Sequence, residues 1–363
     1  MPSIILKDLT KRFDDTVAAD NLNLEINNGE YLCILGPTGA GKTTCMRMIC
    51  GLTRPDGGQV LFDNVDVTNL ETEERGAAML SQVYSLFPQM TVHENVLFGP
   101  SIKGWDEEEN KQLAKSMLTM VHLYSRADAY PHQLSGGMQQ RVALVRALAS
   151  GSGVLLLDEP LRALDARLRI ELRKELRSLV KEMKLTAIHV THDQDEAMEM
   201  ADRIAIIRNG KIVQIGEPKE VYENPNSPFT ANFMGMSNML CGTITEINDG
   251  VATIISNGHK FLAKDTGRPV GSEAVVAVKI GNTKISKIEE GYFTGKIERM
   301  LYEGVSIVVE MQVPELGLIV AKLPNRKFDD FDEGDEVQIR WSPDRTSVFD
   351  IPEGGLEEEL KVE

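Results

Sequence analysis

Residues Gly36-Pro37-Thr38-Gly39-Ala40-Gly41-Lys42-Thr43-Thr44 follow the apolar run Tyr31–Leu35 and open a helical run, Lys42–Cys50. A strand, a glycine-rich loop and a helix in that order confine the chain to a small set of α/β folds. The glycines let consecutive backbone N–H groups turn inward as an anion nest, Lys42 is placed to reach β- and γ-phosphates, and Thr43 is placed to ligate Mg²⁺. The helix amino terminus adds the positive end of its dipole. Gly36, Thr38, Gly39, Ala40, Gly41, Lys42, Thr43 and Thr44 are therefore the expected contacts to a nucleoside triphosphate. A loop of this kind taken alone specifies nucleotide binding and nothing narrower.

The surroundings supply more. From Ser3 to about Ile215, β-rich runs such as Val154–Leu157, Ala187–Thr191 and Ile204–Ile207 alternate with amphipathic helical segments, which predicts a parallel sheet flanked by helices. In Ala166–Met183, Leu168, Leu172, Leu176, Leu179 and Met183 recur at helical spacing with charged residues between them, so one face is core and the other solvated. The apolar run Val154–Leu157 ends in Asp158 and Glu159. A buried strand delivering two carboxylates beside a phosphate loop predicts that Asp158 holds Mg²⁺ through its waters and that Glu159 accepts a proton from an attacking water.

Between Pro88 and Ala149 the β-rich runs stop, and helices are expected over about Asp106–His122 and Met138–Ala149, a helical insertion spanning roughly 88–150. Asn224-Pro225-Asn226-Ser227-Pro228 has a linker composition, and the domain boundary is expected near residue 235. Beyond it, strands come at short spacing, separated by turns such as Asn248-Asp249-Gly250 and Asn257-Gly258, which argues for small β-barrels over 236–352. The acidic tail 353–363 reads as disordered.

At 363 residues the chain is long enough for two or three domains with cores of their own. No apolar run is long enough to span a bilayer and the amino terminus lacks a secretory signal pattern, so a cytosolic chain is expected. Cys33, Cys45, Cys50 and Cys241 show no CxxC pairing and read as reduced packing residues. The net charge of −16 is unevenly shared: residues 1–235 carry 25 basic and 32 acidic side chains, residues 236–363 carry 14 and 23. This balance weighs against nucleic acid as a partner.

With Leu134-Ser135-Gly136-Gly137-Met138-Gln139-Gln140-Arg141 added, the ordered set over residues 1–235 resembles the nucleotide-binding subunit of an ABC transporter. The resemblance implies a RecA-like α/β P-loop domain with a helical insertion. It implies that Ser135, Gly136 and Gly137 bind the γ-phosphate of ATP held by a second copy of the chain. By the same resemblance Gln82 senses Mg²⁺ and water, His192 contacts the γ-phosphate, and Phe13 stacks on adenine. The apolar stretch Val83–Met90 resembles the surface that receives a coupling helix, and packing within the helical insertion also accounts for part of it. The β-rich region resembles the TOBE region, built of OB-like barrels, of importer ATPases for maltose or for spermidine and putrescine. The implied assembly is a homodimer working with two permease subunits and, indirectly, an extracytoplasmic binding protein, at the cytoplasmic face of the membrane. A soluble non-transport ABC ATPase is the alternative, and it accounts less well for a single cassette without long coiled coil.

Three departures stand out. Met138 takes the place of the usual Gln, Arg162 takes the place of Ser in the loop before Leu164-Asp165, and Lys279-Ile280-Gly281 replaces the Arg-Pro-Glu common in the β-rich region.

Overall fold

The computed structural model describes residues 2–81, 85–162 and 164–361. The chain divides into two compact units between Lys219 and Glu220. In the first, β1 (Ile4–Phe13) and β2 (Thr16–Ile26) form a hairpin, β3 (Tyr31–Leu35) leads through the glycine loop into α1 (Lys42–Ile49), and β4 (Gly57–Phe62), β5 (Val65–Asp66) and β6 (Ala77–Leu80) follow. Then come α2 (Val92–Ile102), α3 (Glu107–Met120), α4 (Gly136–Ala149), β7 (Val154–Asp158), α5 (Ala166–Glu182), β8 (Thr186–Val190), α6 (Gln194–Met200), β9 (Arg203–Arg208) and β10 (Lys211–Gly216).

The central sheet has the order β10-β9-β3-β8-β7-β6. β3, β6, β7, β8 and β9 run parallel, and only β10 is antiparallel. Every residue of β3, β7 and β8 is buried, as expected of strands covered on both faces. Leu32, Ile34, Leu156 and Ile188 pack with Met46, Met48 and Ile49 of α1 in one core. This places the loop after β3 and the end of β7 side by side at the carboxyl edge of the sheet, where open α/β sheets hold their ligands.

The structure departs from the sequence reading in two places within this unit. A second, antiparallel sheet of order β2-β1-β4-β5 lies where only the parallel sheet was expected. Its signal was the Asp14-Asp15 turn, with Asp14 at φ 48°, joining two half-buried strands. A third helix, α2, opens the helical insertion; Gly99 and Pro100 obscure its period, but Thr91 and Glu94 form a capping box at its start.

The second unit holds α7 (Pro218–Glu223) from Glu220 onward, α8 (Pro228–Phe233) and ten strands: β11 (Ser237–Asn248), β12 (Val251–Ser256), β13 (His259–Lys264), β14 (Glu273–Lys279), β15 (Lys284–Ser286), β16 (Phe293–Tyr302), β17 (Ser306–Val313), β18 (Gly317–Pro324), β19 (Glu336–Arg340) and β20 (Thr346–Phe349). They pair antiparallel in two five-stranded sheets, β13-β12-β11-β14-β20 and β15-β19-β16-β17-β18. The inner faces share one core containing Ile254, Phe261, Val276, Phe293, Val309, Ile339 and Trp341. This is the all-β, OB-like architecture expected of the region. The division falls at Lys219 and Glu220, ahead of the boundary expected near 235, because α8 buries Ala231 against Val275, Ala277 and Phe349 of the β-rich unit. The tail expected to be disordered forms α9 (Leu356–Leu360), whose Leu356 packs on the same cluster.

Arg75 fixes the far end of α1. Its guanidinium is buried and donates to Met48 O at 2.8 Å, Ile49 O at 2.9 Å, Thr68 O at 2.8 Å and Leu70 O at 3.1 Å. Two of these acceptors are last-turn carbonyls, Met48 O being shared with Gly51 N at 3.3 Å, where a cation is also favoured by the dipole. Arg75→Met removes four hydrogen bonds and the guanidinium that joins α1 to the segment after β5, and denaturant titration should show the first unit destabilised by about 3 kcal/mol.

Candidate functional site

The glycine loop is shaped by backbone contact. Gly41 has φ 101°, and a Cβ there would sit 2.0 Å from Ala18 O; one at Gly36 would sit 2.1 Å from Ile207 O. Neither position admits a side chain, so the loop closes tightly against β2 and β9. Beside it lies a cleft of about 370 Å³ lined by Thr38 to Thr44 together with Ala18, Glu159, Arg162, Val190 and His192.

Lys42 is buried and its Nζ donates to Gly36 O at 2.7 Å and Pro37 O at 2.6 Å. Burial lowers its pKa, opposed by the nearby Glu159 and Asp158 carboxylates. Asp158 is likewise buried, and burial raises its pKa against the hydrogen bond that Thr43 Oγ1 donates to its Oδ2 at 3.0 Å. Its other oxygen, Oδ1, is buried and accepts no hydrogen bond. A hydroxyl and a carboxylate oxygen without a protein donor, side by side at a phosphate loop, fit a hard divalent cation such as Mg²⁺.

Glu159 follows at φ 51°, a left-handed conformation rare outside glycine. Its N–H is tied to Val190 O at 2.9 Å, and the buried Gln140 amide of α4 donates to Glu159 O at 3.2 Å and Pro160 O at 2.8 Å. Backbone strain held from two sides, by β8 and α4, aims the carboxyl group into the cleft. There its Oε2 accepts from Arg162 Nη1 at 2.7 Å and its Oε1 lies 3.1 Å from His192 Nδ1. Burial pushes Glu159 up, but hydrogen bonds from Arg162 and His192 outweigh it and hold the carboxyl below its ordinary range. The Arg162 noted in the sequence is thus a clamp on the expected base.

A buried polar chain carries the His192 turn. Thr191 Oγ1 donates to Glu196 Oε2 at 2.8 Å and accepts from Asp193 N at 3.0 Å, so α6 holds the residues on either side of His192. His189 Nε2 lies 3.5 Å from the same Glu196 oxygen, and its Nδ1 meets Tyr31 OH at 3.0 Å. Arg173 of α5 pairs with Asp193 at 3.0 Å. Burial raises Glu196, yet His189, Thr191 and Arg173 together keep it below its ordinary value, so it stays an anion inside the protein. Sequence reasoning overlooked Tyr31, Arg173, His189, Thr191 and Glu196; polar residues inside the apolar strands β3 and β8 were the available signal.

The structure brings together Lys42, Thr43, Asp158, Glu159 and His192. It does not bring Ser135, Gly136 or Gly137 to the same cleft lining. Ser135 and Gly136 are exposed, and Ser135 caps α4 by accepting from Met138 N at 3.4 Å. Phe13 is 48% exposed at the end of β1, 5.3 Å from Lys11 Nζ and outside the cleft lining. Gln82, Val83 and Tyr84 lie outside the described residues. Of the apolar stretch Val83–Met90, Phe87 packs on Phe98 at 4.3 Å and under Arg146.

The profile of the family described as ABC transporter matches residues 19–162, and that described as TOBE domain matches residues 270–349. The chain is 37% identical over 361 residues to the spermidine/putrescine import ATP-binding protein PotA of Chromobacterium violaceum, covering 96% of this chain and 99% of that one. It is 39% identical over 349 residues to the protein of the same description from Vibrio cholerae, covering 94% and 92%. A solved dimeric ATP-binding cassette in a post-hydrolysis state with ADP and Pi superposes with a TM-score of 0.54 at 33% identity, over 59% of this chain and 98% of that one.

Two variants probe the geometry around Glu159. The exposed Arg162 ion pair is worth about 0.5–1 kcal/mol and must open before the carboxylate can face a water, so Arg162→Ser should raise steady-state ATP turnover by about 2–5-fold. Thr191→Val removes a buried hydrogen bond to a charged partner and should lower kcat about tenfold with little change in KM, while Thr191→Ser retains the wild-type rate.

Proposed function

Since the chain belongs to the ABC transporter family and is an ATPase, we propose that it powers import of a polyamine of the spermidine or putrescine class. It acts as a pair of identical copies at the cytoplasmic face of the membrane, beneath two permease subunits that receive the solute from an extracytoplasmic binding protein. The observation that carries this reading is likeness running through both units: 37–39% identity over more than nine-tenths of the chain to polyamine import subunits. A soluble non-transport ABC ATPase gives no reason for that likeness to continue through the β-rich unit.

ATP lies along the glycine loop with its phosphates against the N–H groups of Gly39 to Thr44, and Lys42 turns its ammonium from two carbonyls to the β- and γ-phosphates. Thr43 and Asp158 would hold Mg²⁺, which would supply neutralisation of phosphate charge. Glu159 takes the proton of the attacking water, and His192 bridges Glu159 and the γ-phosphate. Ser135, Gly136 and Gly137 of the second copy close on the phosphates from the opposite side. ATP thus joins the two copies, and its hydrolysis separates them.

Glu159→Gln keeps the shape of the side chain and removes its basicity, so ATP hydrolysis should fall by about 10²–10⁴-fold while MgATP binding persists and a closed dimer accumulates in light scattering. Wild-type turnover in this variant would remove Glu159 as the base. Deleting the gene should abolish uptake of radiolabelled spermidine or putrescine, with restoration by the wild-type chain and none by Glu159→Gln. Unchanged polyamine uptake alongside loss of another solute would retain the importer and overturn the substrate.

A further inference from the structure

The second unit contains a cavity of about 400 Å³ that plays no part in the ATPase site. All of its lining comes from residues of that unit: the end of α7, α8, the last residues of β13 and β14, and the turn leading into β20. Ala277, Val348 and Phe349 give it an apolar floor, whereas Lys264, Lys279 and Arg345 bring three cations to its wall against the two acids Glu223 and Asp344. This is a local reversal of sign, because residues 236–363 carry 23 acidic and only 14 basic side chains.

Lys279 is the informative member. Its Nζ sits 4.1 Å from the centroid of the Tyr222 ring and donates to Ala231 O at 3.3 Å. Among the described residues no carboxylate lies within 4.0 Å of this ammonium or of Lys264. Burial brings the Lys279 pKa down to about 8, the response of a cation that has lost water and gained no counter-ion. Arg345 faces only its neighbour Asp344, at 3.8 Å from Nε, an exposed pair of little strength. Asn282 adds an amide on the same wall. One carbonyl and an aromatic face leave part of the donor capacity of Lys279 unused, and a wall of ammonium, guanidinium and amide groups over an apolar floor suits a compact anion.

We propose that this cavity is a binding site for a small carboxylate or phosphate anion, held chiefly by Lys279 with Lys264 and Arg345 around it. The site goes beyond the import function and does not rest on it. Its sign also excludes a polyamine as occupant, so the ligand is a chemical class different from the solute proposed for transport.

Calorimetric titration of the full chain with inorganic phosphate and with citrate tests this, with MgADP saturating the glycine-loop cleft so that phosphate cannot report that site. Saturable binding by either probe is expected; phosphate alone marks a phosphate-selective site and citrate alone a carboxylate-selective one. Lys279→Met should weaken it at least about tenfold, the loss typical of a charged hydrogen-bond donor, and Lys279→Arg should keep it within about threefold. ATPase activity without the probe should be unchanged in both variants, and a circular dichroism spectrum and thermal transition matching the wild type show that the β-rich unit is folded. Should Lys279→Met fail to fold, Arg345→Gln provides the second loss-of-charge variant. Absence of saturable binding up to about 10 mM of both probes, wild-type affinity in Lys279→Met, or putrescine binding in preference to the anions would each overturn the proposal.

Discussion

The central sheet has to present charge at the edge of an apolar interior. Lys42 and Asp158 are both buried beside strands without an exposed residue, and an isolated charge in such surroundings costs several kcal/mol. The protein answers with local polar groups: two loop carbonyls for Lys42 and the Thr43 hydroxyl for Asp158. These partners leave one Asp158 oxygen without a donor. Phosphate and a cation would satisfy the arrangement further, and the same desolvation that shifts both pKa values in opposite senses suits the cleft to a charged ligand. The tight approach of Gly36 and Gly41 to neighbouring strands, and the Arg75 anchor on α1, keep this geometry fixed.

A second layer of polar residues determines where the reactive groups point. Glu159 is held at a positive φ by bonds to β8 and α4, and the turn bearing His192 is held by Glu196 through Thr191. Because α4 carries Ser135 at its amino end and Gln140 inside the protein, movement of that helix bears directly on the Glu159 loop. In the proposed dimer this is a physical route by which closure of a second copy on Ser135 and Gly136 would be felt at the carboxylate.

The β-rich unit is built by another rule. Its strands alternate inward and outward residues, for instance Phe293, Gly295 and Ile297 toward the core and Thr294, Lys296 and Glu298 away, and the two sheets share one apolar interior closed by Trp341, whose indole N–H reaches Leu262 O at 2.9 Å. Most of these strands were legible from their alternation. β13, β15 and β20 were not; β15 and β20, at three and four residues, carry too few periods to register.

The sequence by itself determined the phosphate loop, the two carboxylates after β7, the separation into an α/β part and an all-β part, and the family. Each is a local pattern: a glycine-rich loop between a strand and a helix, an apolar run that stops at two acids, and strands that alternate. The tertiary structure decided what depends on residues far apart in the chain. It assigned α8 to the second unit through Ala231 against Phe349, joined Tyr31 and His189 through Glu196 to the turn at His192, set Arg162 on Glu159, and gathered Lys264, Lys279 and Arg345 around one cavity. Periodicity reports only which face of an element is buried; which side chains then meet inside, and how their charges are satisfied, is fixed by packing across elements.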